Sequence, residues 1–174
     1  MEKKIHTIAS LNTHSFSAYL DEVILRNGET GKRIRIDHPE ATAVIPFISD
    51  DEILMVRQFR YALGRETLEI PAGKVDKGEL PEECARRELL EETGYKAGLV
   101  RFVYSYAPAI GYSNELIHIY SGSNLKRMNV EIDEREISSL ETISLKRIRE
   151  LIKEGHILDG KTLIGLFIME LVGR

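Results

Sequence analysis

Gly73-Lys-Val-Asp-Lys-Gly-Glu79-Leu-Pro-Glu-Glu-Cys-Ala-Arg-Arg87-Glu88-Leu-Leu-Glu91-Glu92-Thr-Gly94-Tyr95 spaces three carboxylates, Glu88, Glu91 and Glu92, at i, i+3 and i+4. On a helix these share one face. Like charges at such spacings destabilise a helix by about 0.2–0.5 kcal/mol per pair, so the face makes physical sense when a cation sits on it. Clustered carboxylate oxygens suit Mg²⁺ or Mn²⁺ rather than zinc, which favours sulfur and nitrogen. The helix is well signalled. Pro81 suits its first position, Glu82 and Glu83 lie at the positive end of its dipole, and Gly94 is placed to stop it. Leu80 is a poor N-cap, so a capping side chain is expected from elsewhere, with Glu79 the candidate. Ala85 and Leu89 lie on a neighbouring face suited to burial against a sheet. Arg87 and Glu91 form an i, i+4 pair that can hold one carboxylate in a fixed pose. Just upstream, Ile70-Pro-Ala-Gly73 offers a turn whose carbonyls can complete a metal shell.

The segment resembles the signature of the Nudix hydrolase family. That signature is a Gly, five residues, a Glu, seven residues, then Arg-Glu-apolar-x-Glu-Glu-x-Gly-apolar. Gly73, Glu79, Arg87, Glu88, Leu89, Glu91, Glu92 and Gly94 all match without a gap, and only Tyr95 stands where an aliphatic residue is usual. An acidic solvated helix would need neither this spacing nor the two flanking glycines. The flanks extend the resemblance. Val56-Arg57-Gln58-Phe59-Arg60-Tyr61, Gly64-Arg65-Glu66 and Leu68-Glu69-Ile70-Pro71-Ala72-Gly73 look like the ADP-ribose and ADP-sugar pyrophosphatase branch.

Away from the signature, the chain reads as one soluble globular protein. Its 174 residues fit a single domain with a sizeable core, and 43% hydrophobic with 30% charged residues is ordinary for that class. A net charge of −4 without a basic cluster argues against duplex nucleic acid as the main partner. No signal peptide or membrane-length apolar run is present, so no membrane partner and a cytoplasmic setting are expected. The single cysteine, Cys84, reads as a small packed side chain of the helix. His6, His14, His38, His118 and His156 form no metal spacing.

The organisation is α/β. Residues 15–37 read as strand material with a turn around Asn27-Gly28 and Gly31, and 33–37 as a half-exposed strand. Strands are expected over 41–48, 52–59 and 67–70, and after the helix over 99–106, 116–120 and 137–143. Ser144 caps a helix over 145–154 ended by Gly155, and Asp159 caps a last helix to about Leu171. Periodicity leaves the topology open. The resemblance implies a Nudix α/β/α sandwich with a mixed sheet, residues 41–174, preceded by a small N-terminal β-strand appendage, residues 1–40. A lone hairpin is marginally stable and must pack on something. The resemblance implies a homodimer that exchanges this unit between subunits; the alternative is that it folds back on its own core.

The resemblance also implies the chemistry. Nudix enzymes hydrolyse a nucleoside diphosphate linked to another group, and divalent cations neutralise the diphosphate and activate water. By similarity, Glu88, Glu92 and the Ala72 carbonyl are the metal ligands, for two or three Mg²⁺ with Mn²⁺ a substitute. Glu91 is a further ligand or a base, oriented by Arg87, and Glu79 orients the site from its edge. A separate base is implied in the loop Asp133-Glu-Arg-Glu136, with Glu134 first choice and Glu136 second. For substrate, Arg60 suits bidentate contact to phosphate oxygens, whereas Arg57, three positions earlier on a strand, points to the opposite face. Glu69 matches a position close to metal or substrate, and Arg33 one that reaches substrate from a partner subunit. The substrate loop Tyr106-Ala-Pro108-Ala-Ile110-Gly111-Tyr112-Ser113-Asn114-Glu115 has Ile110 where the branch carries proline; Tyr112 and Glu115 otherwise fit. The expected reaction is hydrolysis of ADP-ribose to AMP and ribose 5-phosphate. GDP-mannose or another nucleoside diphosphate sugar is the alternative substrate. A non-hydrolytic nucleotide-sugar sensor is a further alternative, although such modules usually lose signature glutamates and this chain keeps them all.

Overall fold

The computed structural model describes residues 1–132 and 137–172. The chain divides into two compact units, Met1–Glu40 with Tyr106–Leu116, and Ala41–Ser105 with Ile117–Arg174.

The first unit is a three-stranded antiparallel sheet of β1 (Lys3–Asn12), β2 (Ser17–Ile24) and β3 (Thr30–Asp37), in that order. Its most buried charge is Asp21, 3% exposed. That carboxylate accepts from the Thr7 hydroxyl at 2.7 Å and Arg35 Nε at 3.1 Å, and pairs with Lys4 at 3.2 Å. The Arg35 guanidinium also lies 4.1 Å from the Tyr19 ring centroid. β1 lies outside the stretch read as strand from sequence. Its pairing with β2 shifts register between Lys4 and His6 and again between Thr7 and Ala9, which breaks the period of two that sequence reading depends on.

Among the described residues, the second unit holds two sheets, three α-helices and a short 3-10 turn, Tyr61–Leu63. One sheet runs β10 (Ile137–Ser144), β5 (Glu52–Arg60), β6 (Arg65–Glu69), all antiparallel. The other runs β7 (Ala72–Lys74), β4 (Ala41–Pro46), β9 (Ile117–Arg127), β8 (Tyr95–Tyr106). β4 pairs antiparallel with β7 and parallel with β9, so this sheet is mixed. β8 and β9 are each longer than the sequence suggests. β8 begins directly after Gly94 because the chain leaves the helix straight into the sheet.

Helices α1 (Pro81–Thr93) and α3 (Gly160–Val172) cover opposite faces of the mixed sheet. α1 seats Ala85 and Leu89, both fully buried, against Val44, Ala97, Val100 and Tyr120. Burying a leucine there stabilises by about 1.5–3 kcal/mol. α3 approaches the other face at Gly165, beside Ile45 and Ile119. α2 (Leu145–Lys153) follows β10, and its Ser144 hydroxyl accepts the Arg147 N–H at 3.2 Å. The result is the expected α/β/α sandwich with a mixed sheet.

Both ends of α1 have clear physical causes. Leu80 offers no capping oxygen, and Glu79 does not serve in its place. The Glu83 carboxylate instead reaches back to accept the Leu80 N–H at 3.2 Å. Glu79 accepts the Asp76 N–H at 3.0 Å and turns its oxygens to Arg87. At the other end Gly94 sits at φ 71°, its N–H donating to the Leu90 carbonyl at 2.8 Å. Gly94→Ala is expected to lower unfolding free energy by about 1–2 kcal/mol, because a side chain disfavours that conformation. Urea denaturation checks this, and an unchanged midpoint would contradict it.

Candidate active site

The second and third turns of α1 carry the signature glutamates over the start of β7, at Ala72 and Gly73. Glu92 is 7% exposed, and its Oε2 accepts the Ala72 N–H at 3.0 Å. Glu88 lies against the next residue so closely that a Cβ on Gly73 would stand 1.9 Å from its carboxyl carbon. Burial raises the Glu88 carboxyl pKa, with Arg87 opposing. Burial pushes the Glu92 carboxyl up to about 8; the Ala72 N–H opposes the rise and the Glu88 charge adds to it.

Arg87 organises the other acids. Its Nε and Nη2 grip both oxygens of Glu79 at 2.8 and 2.9 Å, and Nη1 reaches Glu88 at 2.6 Å and Glu91 at 3.1 Å. Its Nη2 also donates to the Lys74 carbonyl at 3.0 Å, tying helix to loop. The bidentate Arg87 bond holds the Glu79 carboxyl down at about 2. Cys84 packs beneath, fully buried, and burial pushes its thiol up to about 12, which makes it an inert packed side chain.

Among the described residues, no three histidine, cysteine or acidic side chains already converge as a metal cage. Here the guanidinium of Arg87 takes Glu88 and Glu91. The donor set nevertheless fits a hard divalent cation. Glu88, Glu91, Glu92 and the Ala72 carbonyl are all oxygen donors, and the missing side chain at Gly73 leaves the Glu88 carboxylate lying directly on the β7 backbone.

A second polar cluster adjoins through Glu69, 3% exposed at the end of β6. Arg60 grips it with Nε at 2.7 Å and Nη2 at 2.5 Å, and the Thr67 hydroxyl donates at 2.5 Å. Lys161, at the start of α3, pairs with it too. Arg57 projects from the other face of β5 and pairs with Glu141 at 2.7 Å. Burial alone would raise the Glu69 carboxyl, but Arg60, Lys161 and Thr67 together bring it down from 4.5 to about 2. A depressed carboxyl stabilises the fold above its unfolded pKa and loses that contribution as pH falls through the folded one. Stability is therefore expected to drop by at most about 3 kcal/mol between pH 4.5 and 2 through this group. Glu69→Gln should flatten that part of a pH–stability profile, and an unchanged slope would contradict the assignment.

Sequence reading missed Lys161. A signal was present, since a lysine in the first turn of a helix opposes the dipole and asks for acidic partners. The remaining expected substrate residues belong to the first unit. Arg33 pairs with Glu2 through Nε at 2.9 Å and Nη2 at 2.5 Å. The Tyr112 side chain is exposed, and its carbonyl accepts the Ile36 N–H at 2.7 Å. Glu115 approaches His38 Nδ1 at 3.4 Å. Glu134 and Glu136 lie outside the described residues.

An acidic loop-helix-loop on a mixed sheet between helices gives an oxygen-rich site suited to a hard divalent cation. The NUDIX domain family model matches residues 37–163, and the chain belongs to that family: it is a Nudix hydrolase. Members generally need a divalent metal ion. The chain is 38% identical over 172 residues to a methanol dehydrogenase activator of Bacillus methanolicus, covering 98% of this chain and 93% of that protein. It is 36% identical over 155 residues to an ADP-ribose pyrophosphatase of Bacillus subtilis, covering 88% and 84%. A GDP-mannose pyrophosphatase of Salmonella paratyphi B is 35% identical over 152 residues, covering 80% and 78%. In fold the chain resembles the crystal structure of an ADP compounds hydrolase, with TM-score 0.80 at 23% identity, covering 97% of this chain and 93% of that one. No helix among the described residues is long and apolar enough to cross a membrane.

Proposed function

We propose that this protein is a Mg²⁺-dependent pyrophosphatase of a nucleoside diphosphate sugar, foremost ADP-ribose, releasing AMP and ribose 5-phosphate. The observation that carries the reading is the packing of Glu88 and Glu92 onto the backbone of Ala72 and Gly73. Names of relatives supply the substrate class, ADP-ribose for one and GDP-mannose for another. Glu88, Glu92 and the Ala72 carbonyl would hold the cation, with Glu91 a further ligand or the base. When bound, Mg²⁺ (or Mn²⁺ in its place) neutralises the diphosphate and lowers the pKa of water. Arg87 keeps Glu79, Glu88 and Glu91 in register through its three nitrogens. Arg60 meets phosphate oxygens while Glu69 holds its other edge. Glu134, or else Glu136, accepts the proton of the attacking water. By resemblance, Arg33 reaches a base or phosphate from the partner subunit, and Tyr112 and Glu115 of the substrate loop contact the nucleoside or sugar.

Residues 1–40 form the dimerisation unit of a homodimer, and 41–174 the Nudix domain. β1 supports this: it is a sheet-edge strand of ten residues, and Ile5, Ile8 and Leu11 on it are exposed.

A substrate panel tests the reading. With Mg²⁺, the protein should cleave ADP-ribose in preference to ADP-glucose, GDP-mannose, NADH and dATP, with AMP as product. Preference for GDP-mannose would keep the chemistry and change the substrate. Tight binding without cleavage of any compound would replace the reading with a sensor. A second reading rests on the match to the methanol dehydrogenase activator over 98% of this chain and 93% of that protein: the chain raises the activity of a methanol dehydrogenase. Adding it to such an enzyme and following turnover decides that reading.

A further inference from the structure

Lys161 is the only buried lysine or arginine among the described residues, at 7% exposure. Its Nζ pairs with Asp159 Oδ1 at 3.0 Å and with Glu69 Oε2. The next residue, Thr162, is fully buried; its Oγ accepts the Ile70 N–H at 3.0 Å and donates to Asp159 at 2.5 Å. The first turn of α3 is thus fastened to the end of β6 at Glu69 and Ile70. Glu69 Oε2, the oxygen that Lys161 holds, also accepts Arg60 Nη2, and Oε1 accepts Arg60 Nε, leaving Nη1 as the guanidinium edge with no partner among the described residues.

A buried amine costs desolvation even when paired, and an apolar side chain would pack there at lower cost. Packing therefore does not account for a lysine at this position, but geometry does. Without Lys161, Glu69 Oε2 would be held by the flexible Arg60 alone, since the Thr67 hydroxyl donates to Oε1. A carboxylate gripped also by a lysine rooted in a helix turn is held from a second direction. We propose that Lys161 is a positioning residue that acts through Glu69 to fix Arg60, preorganising the free edge of the guanidinium for a phosphate oxygen. The inference rests on the reading above in which Arg60 meets the diphosphate. No electrons or bonds change at Lys161; its work is orientation, which in a binding site is worth large factors.

The test uses Lys161→Met, Lys161→Arg, Arg60→Ala and the double variant Lys161→Met with Arg60→Ala. Each is measured for kcat and KM on the cleaved diphosphate sugar and for melting temperature. Calorimetric affinity for an α,β-methylene analogue of that substrate supplies a readout independent of turnover. Lys161→Met is expected to raise KM and weaken analogue binding by about 10-fold, with a smaller fall in kcat. Lys161→Arg, which keeps the charge, should recover affinity to within about threefold. In the Arg60→Ala background Lys161→Met should add less than about twofold, because both substitutions break one chain. Glu69→Gln cuts that chain in the middle and carries the same test should Lys161→Met fail to fold. A lowered melting temperature with wild-type KM and analogue affinity would overturn the inference. So would effects of Lys161→Met and Arg60→Ala that multiply in full. Failure of the underlying reading is seen separately, in a wild-type protein that neither cleaves nor binds any diphosphate sugar, and the inference falls with it.

Discussion

Glu92→Gln is expected to lower kcat by about 10³-fold or more while the protein remains folded. The side chain is 7% exposed, and burial pushes its carboxyl up to about 8. Glutamine has the same shape, and its amide oxygen can still accept the Ala72 N–H that Glu92 accepts at 3.0 Å. With its carboxyl raised to about 8, the metal-free side chain is largely neutral at pH 7, so the neutral glutamine should cost the metal-free fold nothing. The catalytic loss follows from the charge. Metal-assisted stabilisation of a phosphoryl transition state is worth several kcal/mol, and each ~1.4 kcal/mol is tenfold in rate. Turnover at saturating Mg²⁺, set beside a thermal melt, checks both halves. Near-normal turnover by the folded variant would sink the assignment of Glu92 as a metal ligand.

Gly73→Ala is the second large expected effect, and it separates activity from stability more sharply. An added Cβ would meet the Glu88 carboxyl carbon and Oε1 at 1.9 Å and Oε2 at 2.3 Å. Those atoms end a flexible side chain, so Glu88 can swing aside. Stability should fall by no more than about 1 kcal/mol. The displaced carboxylate, however, can no longer lie on the β7 backbone, and a shift of about 1 Å in a positioned group costs roughly 10²-fold. Steady-state kinetics and a denaturant titration measure the two quantities. Wild-type kcat in this variant would show that Glu88 does not work from the position it holds here.

What was legible in the sequence follows from how local each signal is. The run from Gly73 to Tyr95 encodes its own helix, both termini and the face carrying Glu88 and Glu92, because helix period and end signals act within a few residues. Leu89 and Ala85 were readable as core for the same reason. The capping at Leu80 was not, since Glu83 and Glu79 both stand within reach and only the bidentate pull of Arg87 on Glu79 decides between them. β1 escaped because two register shifts scramble its alternation. Lys161 escaped because its one local signal, a lysine opposing a helix dipole, does not name its partner Glu69, 92 residues away in the chain. Substrate residues such as Arg33 and Tyr112 were placed by resemblance, since few contacts read a base and none leaves a periodic trace.

Hydrolysis of a nucleoside diphosphate sugar at the glutamates of α1 is tested most directly by phosphorus NMR of the purified protein with Mg²⁺ and an equimolar mixture of ADP-ribose and GDP-mannose. The account predicts loss of the diphosphate resonances of at least one, ADP-ribose first, with matching growth of two phosphate monoester signals and arrest on adding a chelator. Persistence of both diphosphates, or cleavage that continues undiminished in the chelator, would contradict it.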